Sequence, residues 1–264
     1  QPPSFSLPGF AAAAEALQQK LSSAAPAKAP EPAASNTTAT SNAAAAQAPA
    51  NQPAASVSDN TSGPELPSAL PDTIFRAYDI RGLADTELSD DIVYALGLAI
   101  GSEALDQGQQ SVVVAADGRH SSPRIRDAMV QGLQASGRDV IDIGMQPTPL
   151  MYFATHQLGT QSGVMITGSH NPADYNGIKI VIGGRALSGP AIEALKERIL
   201  TKNLASGEGE YRAQDIEQSY IDYIINDVAI AQPLKIVIDA GNGVAGAIAP
   251  HLFEELGCEV IPLY

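Results

Sequence analysis

The chain has 264 residues and a formal net charge of −14. An acidic chain repels phosphate backbones, so nucleic acid is disfavoured as a partner, whereas local dipoles and a few cations can still bind a small anion. No apolar run approaches the roughly 18–20 residues of a membrane span. The one cysteine, Cys258, excludes an internal disulfide or a cysteine metal cluster. This cysteine usage predicts a cytoplasmic location, with any membrane anchor lying upstream of Gln1.

Residues 1–70 are predicted to form a disordered linker rich in Ala and Pro. They contain 21 Ala and 10 Pro, with few large apolar side chains. Such a segment cannot offset the chain entropy lost on ordering, and its prolines interrupt helices. The foldable part is therefore expected to begin near Leu70 and to span about 195 residues.

Between residues 71 and 214 the hydrophobic pattern alternates between helix and strand. Ser89 precedes a run with helical spacing, as at the start of a capped amphipathic helix. Further helices are predicted over 122–135, 148–158 and 189–200, and strands over 111–115, 140–143, 163–167 and 177–182. This alternation predicts an α/β domain with a mixed, mostly parallel sheet and helices on both faces.

A return segment and a second unit follow. An extended segment is predicted at 208–213 and a connecting helix at 215–230. A strand at 234–238, a helix at 244–256 and a strand at 259–263 would then complete a βαβ unit. A lone βαβ unit of this size cannot bury both faces of its strands. We therefore expect residues 215–264 to hold a connecting helix and the truncated start of a second, similar α/β domain.

The segment that points most directly to chemistry is Thr167–Pro172, with the sequence Thr-Gly-Ser-His-Asn-Pro. It follows a predicted strand, and ligands in open α/β sheets bind beyond the carboxyl ends of the strands. Gly168 allows a tight turn beside Ser169, while His170 and Asn171 add polar groups. The residues alone leave both a functional loop and a polar surface turn open. A serine-hydrolase pair is disfavoured, because the Gly-x-Ser-x-Gly elbow is absent and adjacent side chains point to opposite sides.

Three further segments carry candidate binding residues. Lys179 should project from a strand either into solvent or toward the serine, where it could neutralise charge or move protons. The segment Arg76–Gly82 holds Tyr78 and Arg81, a combination that suits a phosphorylated sugar as well as a solvated turn. Asp117–Ser122 follows a strand and opens a helix, as an anion-binding or loop-bracing segment would.

Together these residues resemble the α-D-phosphohexomutase superfamily from about Ile74 onward, and most closely its bacterial phosphomannomutase/phosphoglucomutase type. Four segments carry the resemblance, in family order and spacing: Phe-Arg-Ala-Tyr-Asp-Ile-Arg-Gly at 75–82, Asp-Gly-Arg at 117–119, the serine segment at 167–172, and Asp-Tyr-Asn-Gly-Ile-Lys at 174–179. Phosphoglucosamine mutases are similar too, but they typically have Ala before the serine, where this chain has Gly168.

The resemblance implies a phosphoryl-transfer activity centred on Ser169. This residue would carry a phosphoryl group and donate it to a hexose 1-phosphate or 6-phosphate of mannose or glucose. The bisphosphorylated hexose would turn over within the site and return its other phosphoryl group to Ser169, so hexose 1,6-bisphosphate would be both intermediate and activator. Mg²⁺ would bridge the phosphoserine and neutralise developing charge, with its remaining ligands beyond Tyr264. The enzyme is expected to be a monomer.

The same resemblance assigns expected roles to the surrounding side chains. By position, His170 and Lys179 match catalytic residues near the transferring oxygen, with proton-transfer or electrostatic roles. Tyr78, Arg81 and Asn171 match positions that contact the substrate or support the serine segment.

The resemblance is incomplete in one respect. The family's metal loop in its second domain, sugar-binding loop in its third and phosphate-binding site in its fourth have no counterpart in this sequence. We therefore expect the chain to be a fragment with little or no turnover by itself. A phosphoglucosamine mutase and a truncated, non-catalytic binding or scaffold protein are the alternatives.

Overall fold

The computed structural model describes residues 66–263, so the predicted linker lies almost wholly outside the described residues. The helices in the described part are α1 (Asp90–Asp106), α2 (Ser122–Ala135), α3 (Thr148–Gln157), α4 (Pro190–Leu200), α5 (Glu217–Asp227) and α6 (Ala245–Glu255). The strands there are β1 (Ile80–Leu83), β2 (Ser111–Ala116), β3 (Asp139–Met145), β4 (Gly163–Ile166), β5 (Tyr175–Ile182), β6 (Arg185–Ala186), β7 (Tyr211–Ala213), β8 (Lys235–Ile238) and β9 (Glu259–Pro262). Strands β1 and β6 are additional to the predicted elements.

Seven strands form one mixed sheet in the order β1-β5-β4-β2-β3-β7, with β6 paired to β5. Strands β4, β2, β3 and β7 run parallel to one another, whereas β5 is antiparallel to β1, β4 and β6. Because β2 and β4 are parallel neighbours, the loops that follow Ala116 and Ile166 leave the same edge of the sheet. This edge is where open α/β sheets bind ligands.

Alternate residues of the central strands enter two different cores. On one face Val112 and Val114 of β2 lie in the core that also holds residues of α1, α2 and α4. On the other face Val113 and Ala115 lie with residues of α3 and α5. The prediction of an α/β sheet covered by helices on both faces is confirmed. Each large apolar side chain that is buried contributes about 1.5–3 kcal/mol, so the two layers together fix the strand register.

Helix α1 is more buried than the predicted amphipathic pattern implies, because it packs against both α2 and α4. The contact with α2 is close enough to require glycine, since a Cβ at Gly132 would lie 2.2 Å from the carbonyl oxygen of Tyr94. Ser89 occupies the predicted N-cap position, but its side chain makes no capping hydrogen bond. Asp90 and Asp91 lie in the first turn, where their charge complements the helix dipole.

The last fifty residues form α5, α6 and a separate parallel pair of strands, β8 and β9. Helix α5 packs on the main sheet layer through aromatic rings, with Phe153 of α3 at 5.3 Å from Tyr220 and 5.4 Å from Tyr223 between ring centroids. Strands β8 and β9 thus pair with each other and not with the main sheet. That residues 71–214 form one domain, followed by a connecting helix and another unit, stays a prediction. None of the helices between residues 66 and 263 combines the length and the apolar character needed to cross a membrane.

Candidate active site

The serine loop, residues 167–174, connects β4 to β5 at the carboxyl edge of β4. Its Ser169 is exposed and has a φ of +51°, a left-handed conformation that costs a non-glycine residue about 1–2 kcal/mol. The N–H of Ser169 donates to Thr167 Oγ1 at 3.1 Å, and the N–H of Asn171 donates to the Gly168 carbonyl at 3.0 Å. A strained backbone persists only where its surroundings hold it, so the support of this loop matters to its function.

Arg119 provides much of that support. Its guanidinium donates to four backbone carbonyl oxygens: those of Ser169 at 3.3 Å, Asn171 at 2.6 Å, Tyr175 at 2.9 Å, and Pro172. The fifth N–H group, on Nε, lies 3.7 Å from Asp117. A guanidinium engaged in this way has no pair of N–H donors left to bind a substrate phosphate. Of the two roles predicted for the 117–122 segment, the structure therefore supports loop bracing.

Asp117 holds the beginning of the serine loop from the neighbouring strand. Its carboxylate accepts hydrogen bonds from the N–H of Gly168 at 2.9 Å, the N–H of Arg119 at 3.0 Å and the hydroxyl of Ser122. Asn176, at the other end of the loop, donates from Nδ2 to the same Ser122 hydroxyl at 2.9 Å. Both ends of the loop are thus tied to the segment that follows β2.

Glycine is required at position 168 because a side chain there would occupy the space that Arg119 fills. A Cβ at this position would lie 2.0 Å from Nε of Arg119, which is far inside van der Waals contact. Alanine at position 168 would therefore push Arg119 away from the carbonyl groups that it holds. Arg119 can therefore brace the serine loop only because the residue before Ser169 has no side chain.

Two predicted cationic residues meet at a single carboxylate beside the loop. Lys179 Nζ and Arg81 Nη2 lie 3.3 Å and 2.8 Å from the same oxygen, Oδ2 of Asp79. Arg81 Nη1 also donates to Asn171 Oδ1 at 3.4 Å, and Asn171 Nδ2 donates to the Gly168 carbonyl at 2.7 Å. The structure therefore brings Lys179, Arg81 and Asn171 into one hydrogen-bonded network that ends one residue before the serine.

The two remaining predicted site residues face solvent. His170 directly follows the serine and is exposed. Tyr78 precedes Asp79 and has 77% of its surface exposed, which is unusual for an aromatic side chain. Both rings lie in segments that carry network residues, where a bound ligand could contact them.

Sequence reasoning missed Asp79. The residue lies between Arg76 and Arg81 in the opening segment, but its role depends on a partner 100 residues away. Ile80 of β1 pairs with Ile178 of β5 in antiparallel register, so the residue before Ile80 faces the residue after Ile178. An acidic residue beside two arginines was the only local signal, and the pairing of β1 with β5 was needed to interpret it.

Glu87 braces the strand that carries Arg81. Its carboxylate accepts hydrogen bonds from the N–H of Leu83 and the hydroxyl of Thr73, each at 2.8 Å. The hydrogen bonds from Leu83 and from Thr73 favour the ionised form and lower the pKa of Glu87 below its usual value. Strand β1 is thus held by β5 along its length and by Glu87 at its last residue.

The described residues do not by themselves form a magnesium site. Between residues 66 and 263 there is no group of three or more His, Cys, Asp or Glu side chains placed to hold a metal ion. The carboxylates of Asp79 and Asp117, which support the serine loop, already accept hydrogen bonds from cations and N–H groups. Mg²⁺ needs several oxygen ligands in octahedral geometry, which this part of the chain does not provide.

Comparisons with known proteins agree with one another. A family model described as phosphoglucomutase/phosphomannomutase, alpha/beta/alpha domain I, matches residues 72–206. The chain is 52% identical over 195 residues to a phosphomannomutase/phosphoglucomutase of Pseudomonas aeruginosa, which covers 74% of this chain and 42% of that protein. It is 44% identical over 194 residues to a phosphoglucomutase of Neisseria gonorrhoeae, covering 72% and 42% respectively.

A solved structure gives the same result. The crystal structure of a phosphoglucomutase/phosphomannomutase family protein from Burkholderia thailandensis matches with a TM-score of 0.70 and 44% identity, over 74% of this chain and 44% of that one. The chain therefore spans less than half the length of the curated relatives and of the structure that it matches.

Proposed function

The chain belongs to the phosphoglucomutase/phosphomannomutase family, and we propose that it provides the phosphoserine domain of a phosphohexomutase. The reaction would interconvert the 1-phosphates and 6-phosphates of mannose and glucose. The names of the relatives from Pseudomonas and Neisseria support this class of reaction. The observation that carries the proposal is an exposed Ser169 in a loop braced by Arg119, with Lys179 and Arg81 beside it.

In the proposed reaction the Ser169 hydroxyl oxygen carries the phosphoryl group. A sugar hydroxyl attacks the phosphorus atom and the bond from phosphorus to the serine oxygen breaks. The proton that the sugar hydroxyl loses passes to a neighbouring base, and the departing serine oxygen takes up a proton, so that the serine hydroxyl is restored. The bisphosphorylated hexose then presents its other phosphate to Ser169 and returns that group by the reverse displacement. Such transfers are accelerated mainly by positioning and by neutralisation of charge on the equatorial oxygens.

The surrounding residues would serve these two needs. Lys179 and Arg81 have side chains that are 29% and 37% exposed, so part of each cation can face a phosphoryl group while Asp79 holds the rest. His170, next to the serine, would exchange a proton with the sugar oxygen. Asn171 and Tyr78 would contact the sugar or the loop. Arg119 would take no part in the chemistry, since its donors are committed to the loop.

Mg²⁺ fits this chemistry but not the described residues alone. When bound, the cation would supply charge neutralisation at the phosphoryl group, and Ser169 would be a ligand through its phosphate. Further ligands are expected from outside residues 66–263, since no group of three or more His, Cys, Asp or Glu side chains placed to hold a metal ion lies within them.

The glucosamine alternative is less well supported by the loop geometry. Phosphoglucosamine mutases typically have Ala before the serine, and a Cβ at Gly168 would collide with Arg119 at 2.0 Å. We therefore propose mannose and glucose phosphates as the substrate class.

The test is an assay of the complete open reading frame that encodes this chain. Mannose 1-phosphate and glucose 1-phosphate would be supplied with Mg²⁺ and a trace of hexose 1,6-bisphosphate, for the wild type and for Ser169→Ala. We expect turnover in the wild type, a loss of at least about 1,000-fold in the variant, and ³²P label on the peptide that contains Ser169. Unchanged turnover in Ser169→Ala would remove this serine from the mechanism. Turnover of glucosamine phosphate alone would support the glucosamine alternative, and binding without turnover would support a scaffold.

A further inference from the structure

Asp79 is the buried centre of the network beside the serine loop. Its side chain is 7% exposed, yet a single carboxylate oxygen accepts hydrogen bonds from two cations, Lys179 and Arg81. The three residues come from different strands or strand ends, which the antiparallel pairing of β1 with β5 brings together. A buried carboxylate is costly unless it is paired, and here the pairing also fixes where two positive charges lie.

The network extends from Asp79 to the backbone next to the serine. Arg81 reaches Asn171 Oδ1 at 3.4 Å, and Asn171 Nδ2 donates to the Gly168 carbonyl at 2.7 Å. Movement of Arg81 would therefore release a side chain that is part of the serine loop. Asp79 itself lies below the surface, whereas both of its cationic partners are partly exposed.

A purely structural role for Asp79 is the simpler alternative. Buried ion pairs occur in many folds, and removing one partner commonly destabilises a protein. Two observations favour an additional role for Asp79 in the reaction. Both cations remain about one third exposed beyond the carboxylate, and both are candidates for contact with a phosphoryl group. Without Asp79, two like charges a few ångströms apart would repel and move apart.

We propose that Asp79 is a positioning residue for phosphoryl transfer, which holds Lys179 and Arg81 together on the side of the serine loop. The inference rests on the proposed function, because it assigns Asp79 a part in that same reaction. Asp79 acts through the two cations and touches neither sugar nor phosphate. Its contribution is therefore to the rate of the chemical step, with little effect on the binding of the rest of the sugar.

The first test is a double-mutant cycle in the complete reading frame. Asp79→Asn keeps the shape of the side chain and removes its charge, and Lys179→Met removes one of its two partners. We expect Asp79→Asn to lower kcat about 10- to 100-fold, because a displacement of about 1 Å can cost that much, with KM changed less than about 3-fold. In the Lys179→Met background the same change should cost clearly less than in the wild type, since one of the two groups through which Asp79 acts is gone.

The matched control is Asp85→Asn, which removes a carboxylate whose side chain is 96% exposed and lies at 4.0 Å from Arg124. This variant should leave kcat and KM unchanged. An Asp79→Asn loss that is equally large in both backgrounds, or one that disappears when rates are corrected for folded protein, would overturn the proposal and leave a structural role.

A second measurement does not need activity. Competitive acetylation of the folded 264-residue chain, read by peptide mass spectrometry, reports how strongly each lysine is engaged. Loss of the charged partner in Asp79→Asn should raise the labelling rate of Lys179 about 3- to 10-fold over the wild type and Asp85→Asn. An unchanged rate would mean that Asp79 does not hold Lys179, which refutes the proposal. If the wild type fails to convert hexose phosphates, the proposed function fails, and the labelling result still decides whether Asp79 positions Lys179.

Discussion

Replacement of Arg119 by Ala tests whether one side chain holds the serine loop in place. Of its four hydrogen bonds to carbonyl oxygens, those to Asn171 and Tyr175 are partly buried, whereas those to Ser169 and Pro172 face solvent. In the variant, water can replace the two exposed hydrogen bonds. Only the two partly buried hydrogen bonds therefore contribute in full to the loss of stability. At about 1.5 kcal/mol for each bond from a charged donor, the loss is about 3 kcal/mol. Relaxation of the strained Ser169 would return about 1 kcal/mol, which leaves a net loss of about 2 kcal/mol.

The assay is thermal unfolding combined with amide hydrogen exchange of the 264-residue chain. A loss of about 2 kcal/mol corresponds to a Tm lowered by about 4–8 °C for a domain of this size. The amides of Gly168 and Asn171, which are hydrogen-bonded within the braced loop, should exchange about 30-fold faster.

Arg212→Ala is the matched control, since Arg212 is exposed and its guanidinium donates to the side chain of Gln214. It should change stability by less than about 0.5 kcal/mol. The reasoning is refuted if Arg119→Ala resembles this control, or if its exchange increases throughout the sheet and not first in the serine loop.

Two further predictions concern strain and pH. Ser169→Gly should be more stable than Ser169→Ala by about 1 kcal/mol, because glycine adopts the φ of +51° without the cost that alanine retains. Denaturant unfolding of the two variants measures this difference. Equal stabilities would mean that the loop is unstrained. Burial lowers the pKa of His156 below its usual 6.5, so the unfolded chain takes up the proton first as the pH falls. The contribution of His156 to stability is therefore present above about pH 6.5 and is lost below it, and Tm measured from about pH 7 to pH 5 should fall less steeply for His156→Gln than for the wild type.

The parts of the fold that sequence predicts are those with a strong local pattern. Helix α2 is found at the predicted bounds, 122–135, and the strand at 111–115 is extended by one residue. Strand β1 was not predicted, because Arg81 and Gly82 interrupt its apolar pattern and because, among the described residues, β5 is the one strand that pairs with it. Strand β6 has two residues, too few for any periodicity.

The same distinction applies to the site. The serine segment could be located from sequence because it directly follows the apolar strand at 163–166, and strand ends are where such sheets bind ligands. The role of Arg119 could not be assigned from sequence, since the same guanidinium could bind an anion or brace a loop. Only the parallel pairing of β2 with β4 places Arg119 over the carbonyl groups of the loop. Local sequence thus identifies the reactive group, whereas its supporting residues depend on contacts between distant strands.

The proposed site for a phosphorylated sugar lies on a strongly acidic chain, and the local arrangement of charges accounts for this combination. The global charge of −14 acts over distances at which physiological salt screens it, since the Debye length is about 8 Å. The local set of Lys179, Arg81 and Asp79 carries one net positive charge within hydrogen-bond distance of its own members. Because the carboxylate is buried and the cations are partly exposed, a ligand at the surface meets the positive charges first. Local arrangement, and not overall composition, therefore determines the sign of the charge that Lys179, Arg81 and Asp79 present.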